Sequence, residues 1–367
     1  MNVLQGIQDR YSAASRTAEP GLCCPVDYDP KYLRVIPAEV IERDYGCGDP
    51  VSHVRPGETV LDLGSGGGKV CFIAAQIVGR AGSVIGVDVN DDMLALARGA
   101  QSVVAKELGF ANVTFAKARI EDLALDLEFV DTQLSGSPVA SYGDLEKFEA
   151  RADRLRRDSP LIPDHSVDVV ISNCVLNLVS PARKQQMFAE IARVLRPGGR
   201  AVISDIVSDV DVPQAMRDDT QLWSGCYSGA LREDRFLQAF RDVGMHGLTV
   251  QKRDTTWETI GGVAFRSMTV AAYLPASVDE VRRERMVFYR GPFAKVTTDD
   301  GTVLQRGVSL TVRADAVAQL ITTPYAEHVL IDDFAGSLQE PRETGQSTTE
   351  CCLPSPDGGP GTAGCSC

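Results

Sequence analysis

The sequence predicts an α/β protein with a mainly parallel sheet covered by helices on both faces, and three observations carry that reading. A short β-rich run, Thr59-Val60-Leu61-Asp62-Leu63, enters the glycine turn Gly64-Ser65-Gly66-Gly67-Gly68 and leaves it as an apolar helical stretch. The next strand, Ser83-Val84-Ile85-Gly86-Val87-Asp88, ends on an acid. Beyond it, strand and helix patterns keep alternating at βαβ spacing, which calls for parallel pairing through helical crossovers.

Each element has a local reason. Lys69 to Val78 is apolar on most sides, as a helix buried against a sheet must be. Asn90 is placed to cap a helix from Asp91 to about Leu108. Asn112 to Ala116 reads as the third strand and Val167 to Ser172 as the fourth, while Ser180-Pro181 opens a helix ending near Leu195. Arg196-Pro197-Gly198-Gly199 turns the chain into a fifth strand, Arg200 to Ser204.

Two stretches break the order. Leu123 to Pro163 is too long for a plain connection, and its charged part, Asp144 to Asp158, reads as an exposed helix. A surface insertion is the plain reading; a lid or a partner surface is the alternative. After about Val207 the alternation lapses into helices, then returns as strands near Leu248–Lys252 and Met268–Tyr273. From Glu284 a small β-rich module follows, with Asp299-Asp300-Gly301 as a hairpin turn. The segment from Pro341 is rich in Gly, Pro, Ser and Thr and reads as disordered.

At 367 residues, 44% hydrophobic and 24% charged, the chain has a globular balance. A net charge of −13 makes nucleic acid and anionic membrane poor partners. The start of the chain lacks a signal peptide's basic and apolar regions, and no apolar run approaches the roughly 18–20 residues that span a bilayer. A cytoplasmic location is the expectation. Ten cysteines would then be mostly reduced, and serve as ligands or redox groups rather than structural disulfides. Four scattered histidines argue against a His-rich zinc site.

The glycine loop follows a strand, opens a helix and is answered by Asp88, the context in which such a loop binds a nucleoside. Glycine lets backbone approach the ligand, and Asp88 can accept from both ribose hydroxyls. A nicotinamide dinucleotide and S-adenosylmethionine both fit. Asp62, just before the glycines, favours the second, because it would repel a pyrophosphate but can face an amino-acid end. Arg119-Ile120-Glu121-Asp122-Leu123 also resembles the adenine-contacting segment of Rossmann-like methyltransferases.

Cys47, Cys174 and Cys226 each lie in a small-residue segment outside the regular elements, with Cys174 at the ligand-binding end of the fourth strand. Three separated thiols could converge on one soft, three-coordinate atom. Buried cysteine is also commonly a small apolar residue, which is the reading for Cys71 on the helix after the glycine loop. Trp223 and Tyr45 read as packing residues.

Four segments, in this order, carry a resemblance. They are Arg43-Asp44-Tyr45-Gly46-Cys47-Gly48, Leu61 to Gly68, Ser172-Asn173-Cys174-Val175-Leu176-Asn177-Leu178, and Trp223-Ser224-Gly225-Cys226-Tyr227-Ser228-Gly229-Ala230-Leu231. Over roughly residues 20 to 275 the chain resembles the arsenite S-adenosylmethionine methyltransferases. Tyr289-Arg290-Gly291-Pro292-Phe293 and Gln305-Arg306-Gly307 resemble an extension on microbial members. The resemblance implies a Rossmann-like class I methyltransferase fold that transfers methyl groups to trivalent arsenic. It implies cofactor contacts at Asp62, Gly64, Gly66, Asp88, Met93, Ile120, Glu121 and Asn173. Arsenic(III) ligands are implied at Cys47, Cys174 and Cys226, with Cys23 or Cys24 as an additional redox thiol. A reductant such as thioredoxin or glutathione is implied as co-substrate. The chain departs from the family where Val70 stands in place of an acid, and where Leu123 to Pro163 is unusually long.

The domain reading is an N-terminal segment covering the active site at 1–50 and a cofactor-binding domain at 51–206 with insertion 123–163. An arsenic-binding region follows at 207–275, then a small module at 276–340 and a tail at 341–367. The tail's Cys351, Cys352, Cys365 and Cys367 either collect a soft ion or have no defined task. A monomer is favoured. Two other readings remain: the same fold acting on another metalloid or a small organic acceptor, and a non-catalytic soft-metal binding protein.

Overall fold

Five strands make the parallel part of the central sheet: β1 (Thr59–Leu63), β2 (Ser83–Asp88), β3 (Val113–Lys117), β4 (Val167–Asn173) and β5 (Leu195–Ser208). β1 pairs in parallel with both β2 and β4, β2 with β3, and β4 with β5. Beyond β5 come β6 (Leu231–Arg232), β7 (His246–Arg253), β8 (Glu258–Ile260) and β9 (Val263–Tyr273). β9 runs antiparallel to β5, and β7 antiparallel to β9, giving the order β3-β2-β1-β4-β5-β9-β7 with β6 and β8 as short additions. The computed structural model describes residues 3–19, 26, 28–256, 258–276 and 284–331; Cys23, Cys24 and the tail lie outside them.

The sheet is mainly parallel, as expected, and it is buried on both faces. Side chains alternate across a strand, so Leu61, Leu63, Val170 and Ile203 point into one apolar layer. Val60, Val169, Ile171 and Val202 point into the other. Each fully buried aliphatic side chain contributes about 1.5–3 kcal/mol, so the two layers hold the frame. Helix Lys69–Val78 starts at Gly68, whose φ of 89° suits glycine and whose bare Cα faces the Phe115 ring. Helix Asp91–Leu108 is capped by Asn90, whose side chain accepts from the Met93 N–H, and it ends on left-handed Gly109.

Strand order reverses at β1, where the connection from β1 goes one way and the connection from β4 the other. The crevice that results lies beyond the carboxyl ends of these two strands, where open α/β sheets bind ligands.

The structure adjusts several expectations. The fifth strand runs from Leu195 to Ser208 rather than Arg200 to Ser204, because β9 pairs with it all the way from Arg200 to Ser208. The third strand is shifted by one residue, and Cys174 stands just past β4. The insertion holds two helices, Leu127–Gly136 and Tyr142–Asp158, around a small core of Leu125, Val130 and Ala152. A helix at Val3–Ala14 had no signal in the reading above.

The C-terminal module contains β10 (Arg285–Tyr289), β11 (Lys295–Thr297), β12 (Val303–Gln305), β13 (Ser309–Val312) and β14 (Val329–Ile331). β11 and β12 pair antiparallel around Asp299-Asp300-Gly301, as that turn predicts. An additional helix, Ala314–Leu320, fills the module's own core against Val287, Tyr289 and Val312. His246 Nε2 lies 2.9 Å from Thr322 Oγ1, and Gly247 N–H donates to Asp299, so β7 anchors the module. No helix among the described residues is long and apolar enough to cross a membrane.

A buried ion pair ties the segment after Cys47 to the sheet. Arg200, 6% exposed, donates to both oxygens of Glu58 at 2.8 Å and to the carbonyl of His53. Removing one partner strands the other charge in a dry site. Arg200→Ala should therefore lower folding stability by about 3 kcal/mol, read from the midpoint of chemical denaturation, and Arg200→Ala with Glu58→Gln should recover part of the loss.

A buried thiol cluster beside a candidate cofactor cavity

Beyond the carboxyl ends of β1 and β4 lies a cavity of about 490 Å³, within the usual size of a small-molecule site. All eight candidate cofactor residues line it: Asp62, Gly64, Gly66, Asp88, Met93, Ile120, Glu121 and Asn173. Ile7, Gln8 and Tyr11 of helix Val3–Ala14 line it from another side, as do Arg43 and Asp44. Trp223 and Tyr45, expected to serve only packing, also form part of the wall.

The glycine loop is shaped for a ligand. Gly64 and Gly66 have φ of 69° and 50°, values that carry a penalty for any residue with a Cβ. At Gly66 a Cβ would project into space whose nearest atom is Met93 Sδ, 4.0 Å away. Ser65 Oγ is buried there without a hydrogen-bond partner among the described residues. Asp88 accepts from the Gly66 and Asn90 N–H groups at 2.9 and 2.8 Å, which orients its carboxylate along the cavity wall.

The acids are held at a cost. Burial pushes the Asp62 carboxyl up to about 7, against the hydrogen bond from Cys71 Sγ at 3.1 Å. Burial also raises Asp88. Carboxylates desolvated beside an open cavity are stabilised by a cationic ligand, so the residues present fit S-adenosylmethionine better than a pyrophosphate. Cys71 is a fully buried helix residue, as its bland reading holds, and its thiol is kept protonated by burial and by Asp62. Next to Val70, Lys69 Nζ reaches Asp44 at 3.0 Å and lies over the Tyr28 ring. Glu121 is engaged by Arg183 and Arg119 at 3.3 and 3.6 Å.

Cys47, Cys174 and Cys226 come from segments far apart in sequence and share one buried cluster with Ile206, Val212, Met216, Ala230, Val263 and Phe265. Each is 4% exposed, none is disulfide-bonded to another described cysteine, and Cys174 also lines the cavity. Cys174 and Cys226 occupy left-handed backbone, with φ of 62° and 66°, which costs a residue bearing a Cβ about 1 kcal/mol. Cys226 Sγ donates to the Cys174 carbonyl at 3.1 Å. Among the described residues no three His, Cys, Asp or Glu side chains are arranged to hold a metal ion. The thiols are thus neighbours without a closed ligand cage, and Cys226 must release the Cys174 carbonyl before it can serve as a ligand.

Behind the cluster is a polar network that residue patterns did not single out. Asp205, 1% exposed, accepts from the Leu176 and Ile206 N–H groups and from Asn177, and burial raises its carboxyl to about 6. Lys184 donates to the Leu176 carbonyl at 2.7 Å, and burial lowers its ammonium to about 8 while Asp205 opposes that shift. A lysine and an aspartate on separate elements carry no mutual signal in sequence. The Asn177 in the resemblance segment was the available hint.

The raised Asp62 carboxyl has a definite pH signature. A folded acid with a pKa above its unfolded value destabilises the fold fully above that pKa, and the cost fades as pH falls toward the unfolded value near 4. Asp62→Asn should therefore stabilise the unliganded protein by roughly 2 kcal/mol at pH 8 and by little near pH 4.5, as read from paired denaturation curves.

A family profile described as a methyltransferase domain matches residues 55–253, and one described as a domain of unknown function matches residues 277–355. The arsenite methyltransferase of Aquipseudomonas alcaligenes is 34% identical over 252 residues, covering 67% of this chain and 62% of that protein. That of Halobacterium salinarum is 34% identical over 244 residues, 64% of this chain and 51% of the relative, so the match leaves more than a third of each of these proteins uncovered. The Mus musculus arsenite methyltransferase is 27% identical across 89% of this chain and 82% of its own length. The crystal structure of an arsenic(III) S-adenosylmethionine methyltransferase from Chlamydomonas reinhardtii superposes with a TM-score of 0.54 at 27% identity, covering 84% of this chain and 96% of that one. With its sheet order and glycine loop, the chain belongs to the methyltransferase-domain family.

Proposed function

We propose that the protein is an S-adenosylmethionine-dependent methyltransferase whose acceptor is trivalent arsenic held by Cys47, Cys174 and Cys226. One observation carries the reading: three thiols from three distant segments gather in a buried cluster, and one of them, Cys174, also faces the cavity lined by Asp62, Gly64 and Asp88. Asp62, Gly64, Gly66, Asp88, Met93, Ile120, Glu121 and Asn173 are the proposed cofactor contacts. Bound among them, S-adenosylmethionine supplies a methyl group on a positively charged sulfur.

The chain's own residues do the rest by placement. As(III) is soft and favours thiolate over oxygen ligands, and three thiolates leave its lone pair free on the fourth side. No proton leaves the nucleophile, so no general base is required. Cys226 gives up its contact with the Cys174 carbonyl as the arsenic binds. Rate then depends on holding acceptor and donor in line, where effective molarities are large.

Methylation leaves arsenic formally pentavalent. Two enzyme thiols return the electrons by forming a disulfide, with Cys23 or Cys24 as one partner and a thiol reductant, thioredoxin or glutathione, resetting it. A reducing, cytoplasmic setting suits these reduced cysteines.

Purified protein given arsenite, labelled S-adenosylmethionine and a thiol reductant should form methylated arsenicals. Cys174→Ser and Cys226→Ser should each lower turnover by at least about 100-fold while S-adenosylmethionine affinity stays within about threefold of the parent. Labelled product absent from the wild-type reaction, with the cofactor bound, overturns the proposal.

A further inference from the structure

The link that leaves β4 carries an asparagine on either side of Cys174, and each asparagine holds a different thiol-bearing turn. Asn173, 8% exposed, accepts from the Cys47 and Gly48 N–H groups at 2.8 and 3.1 Å. It donates to the Gly48 carbonyl at 2.8 Å and to the Tyr28 hydroxyl at 3.1 Å. Asn177, 3% exposed, donates to the Cys226 carbonyl at 3.1 Å, the Ile206 carbonyl at 2.7 Å and Asp205 Oδ1 at 2.8 Å. Neither side chain is an ordinary filler of the sheet. Both bond backbone brought in from elsewhere in the chain, and each adds one side-chain partner, Tyr28 for Asn173 and Asp205 for Asn177.

Each incoming segment is bared to receive its asparagine. A Cβ on Gly46 would collide with the Asn173 amide, and a Cβ on Gly48 would strike Ser204 Oγ. A Cβ on Gly229, three residues beyond Cys226, would collide with the backbone of Asn177 rather than its side chain. The far side of each turn is braced as well. Ser267 Oγ donates to the Cys47 carbonyl at 2.6 Å, and Asp205, itself fixed by Leu176 and Ile206 N–H, orients the Asn177 amide.

We infer that Asn173 and Asn177 are positioning residues that set the spacing of the three thiols, Asn173 by fixing the Cys47 turn and Asn177 by fixing the Cys226 turn. The inference rests on the arsenic-binding reading of the site. It assigns separate tasks to two chemically identical side chains. Cys226 Sγ rests on the Cys174 carbonyl only until arsenic binds; the Asn177 bond to the Cys226 carbonyl and the Asn173 bonds to the Cys47 turn do not involve the thiols and are kept. Loss of Asn173 therefore loosens the Cys47 turn, which keeps its Ser267 brace, relative to the other two thiols and leaves those two as a pair. Loss of Asn177 breaks the pair.

Two arsenicals separate these outcomes. Arsenite exchanges three hydroxyls for thiols, while phenylarsine oxide, with one valence occupied by carbon, takes two. Binding is measured directly, without cofactor, on the full-length reduced protein by quenching of the cavity-wall Trp223, with arsenic–sulfur coordination number from X-ray absorption. Asn173→Ala should weaken arsenite about tenfold or more, lower its sulfur count from three toward two, and leave phenylarsine oxide within about threefold. Asn177→Ala should weaken both ligands by about tenfold or more. In a Cys47→Ser background, Asn173→Ala should add no further loss of arsenite affinity.

A side chain that merely supports the fold would weaken both ligands alike in both variants and would remain additive with Cys47→Ser, and that result overturns the inference. Asn173→Ser and Asn177→Ser are measured in parallel, and the variant that melts closest to wild type is used for each position. Wild-type protein that binds three-sulfur arsenite while both variants match it overturns this inference alone. Wild-type protein that binds neither arsenical overturns the arsenic-binding reading and this inference with it.

Discussion

The divergence of the chain at the carboxyl ends of β1 and β4 is the constraint on which the other features depend. Neighbouring parallel strands are held in register, Leu61 opposite Val170 and Leu63 opposite Ser172, so their ends arrive at the same level. One then delivers the glycine loop and the other delivers Cys174. In the proposed reaction a methyl donor and a thiol-held acceptor would meet there without either having to be carried across the sheet. The apolar layers on both faces keep that meeting point rigid, because close-packed cores do not deform gradually.

The site is costly to the fold that carries it. Cys174 and Cys226 sit in left-handed backbone, Asp62 and Asp205 are buried acids whose pKa values rise, and Lys184 is a buried ammonium whose pKa falls. Such strain persists where surrounding structure over-determines it, and it gathers at functional sites. The network from Lys184 through Leu176 and Asp205 to Asn177 supplies that over-determination here. Around Cys47, the Asn173 amide and the Ser267 hydroxyl do the same. Removing these costs by mutation would relax the protein and loosen the geometry that the chemistry requires, which is the usual opposition of stability and activity.

Much of this was legible in the residue order, for local reasons. Thr59–Leu63, the glycine turn, Lys69–Val78 and the Asn90-capped helix are specified by nearest neighbours: β-branched and apolar runs, residues tolerant of positive φ, a side chain able to cap. The sequence also named residues that the fold gathers: all eight cofactor candidates line one cavity and the three candidate cysteines share one cluster. The full length of β5 was not, because its extension depends on β9, which begins fifty-five residues after Ser208 ends it. Nor was the contribution of helix Val3–Ala14 to the cavity wall, since its apolar positions make sense only against Tyr45 and Met93.

Chain order alone therefore dictates which residue types are present and which short segments bend, extend or coil, because those preferences act over a few bonds. It also dictates that three thiols exist outside the regular elements, Cys47 and Cys226 beside glycines and Cys174 between Asn173 and Val175. Which backbone each asparagine grasps, that Lys69 pairs with Asp44, and that Cys226 rests on the Cys174 carbonyl are matters of contact between segments far apart in sequence. Hydrogen bonds and burial act at about 3 Å in space and take no account of separation along the chain, so they come into being only once the sheet has brought those segments together.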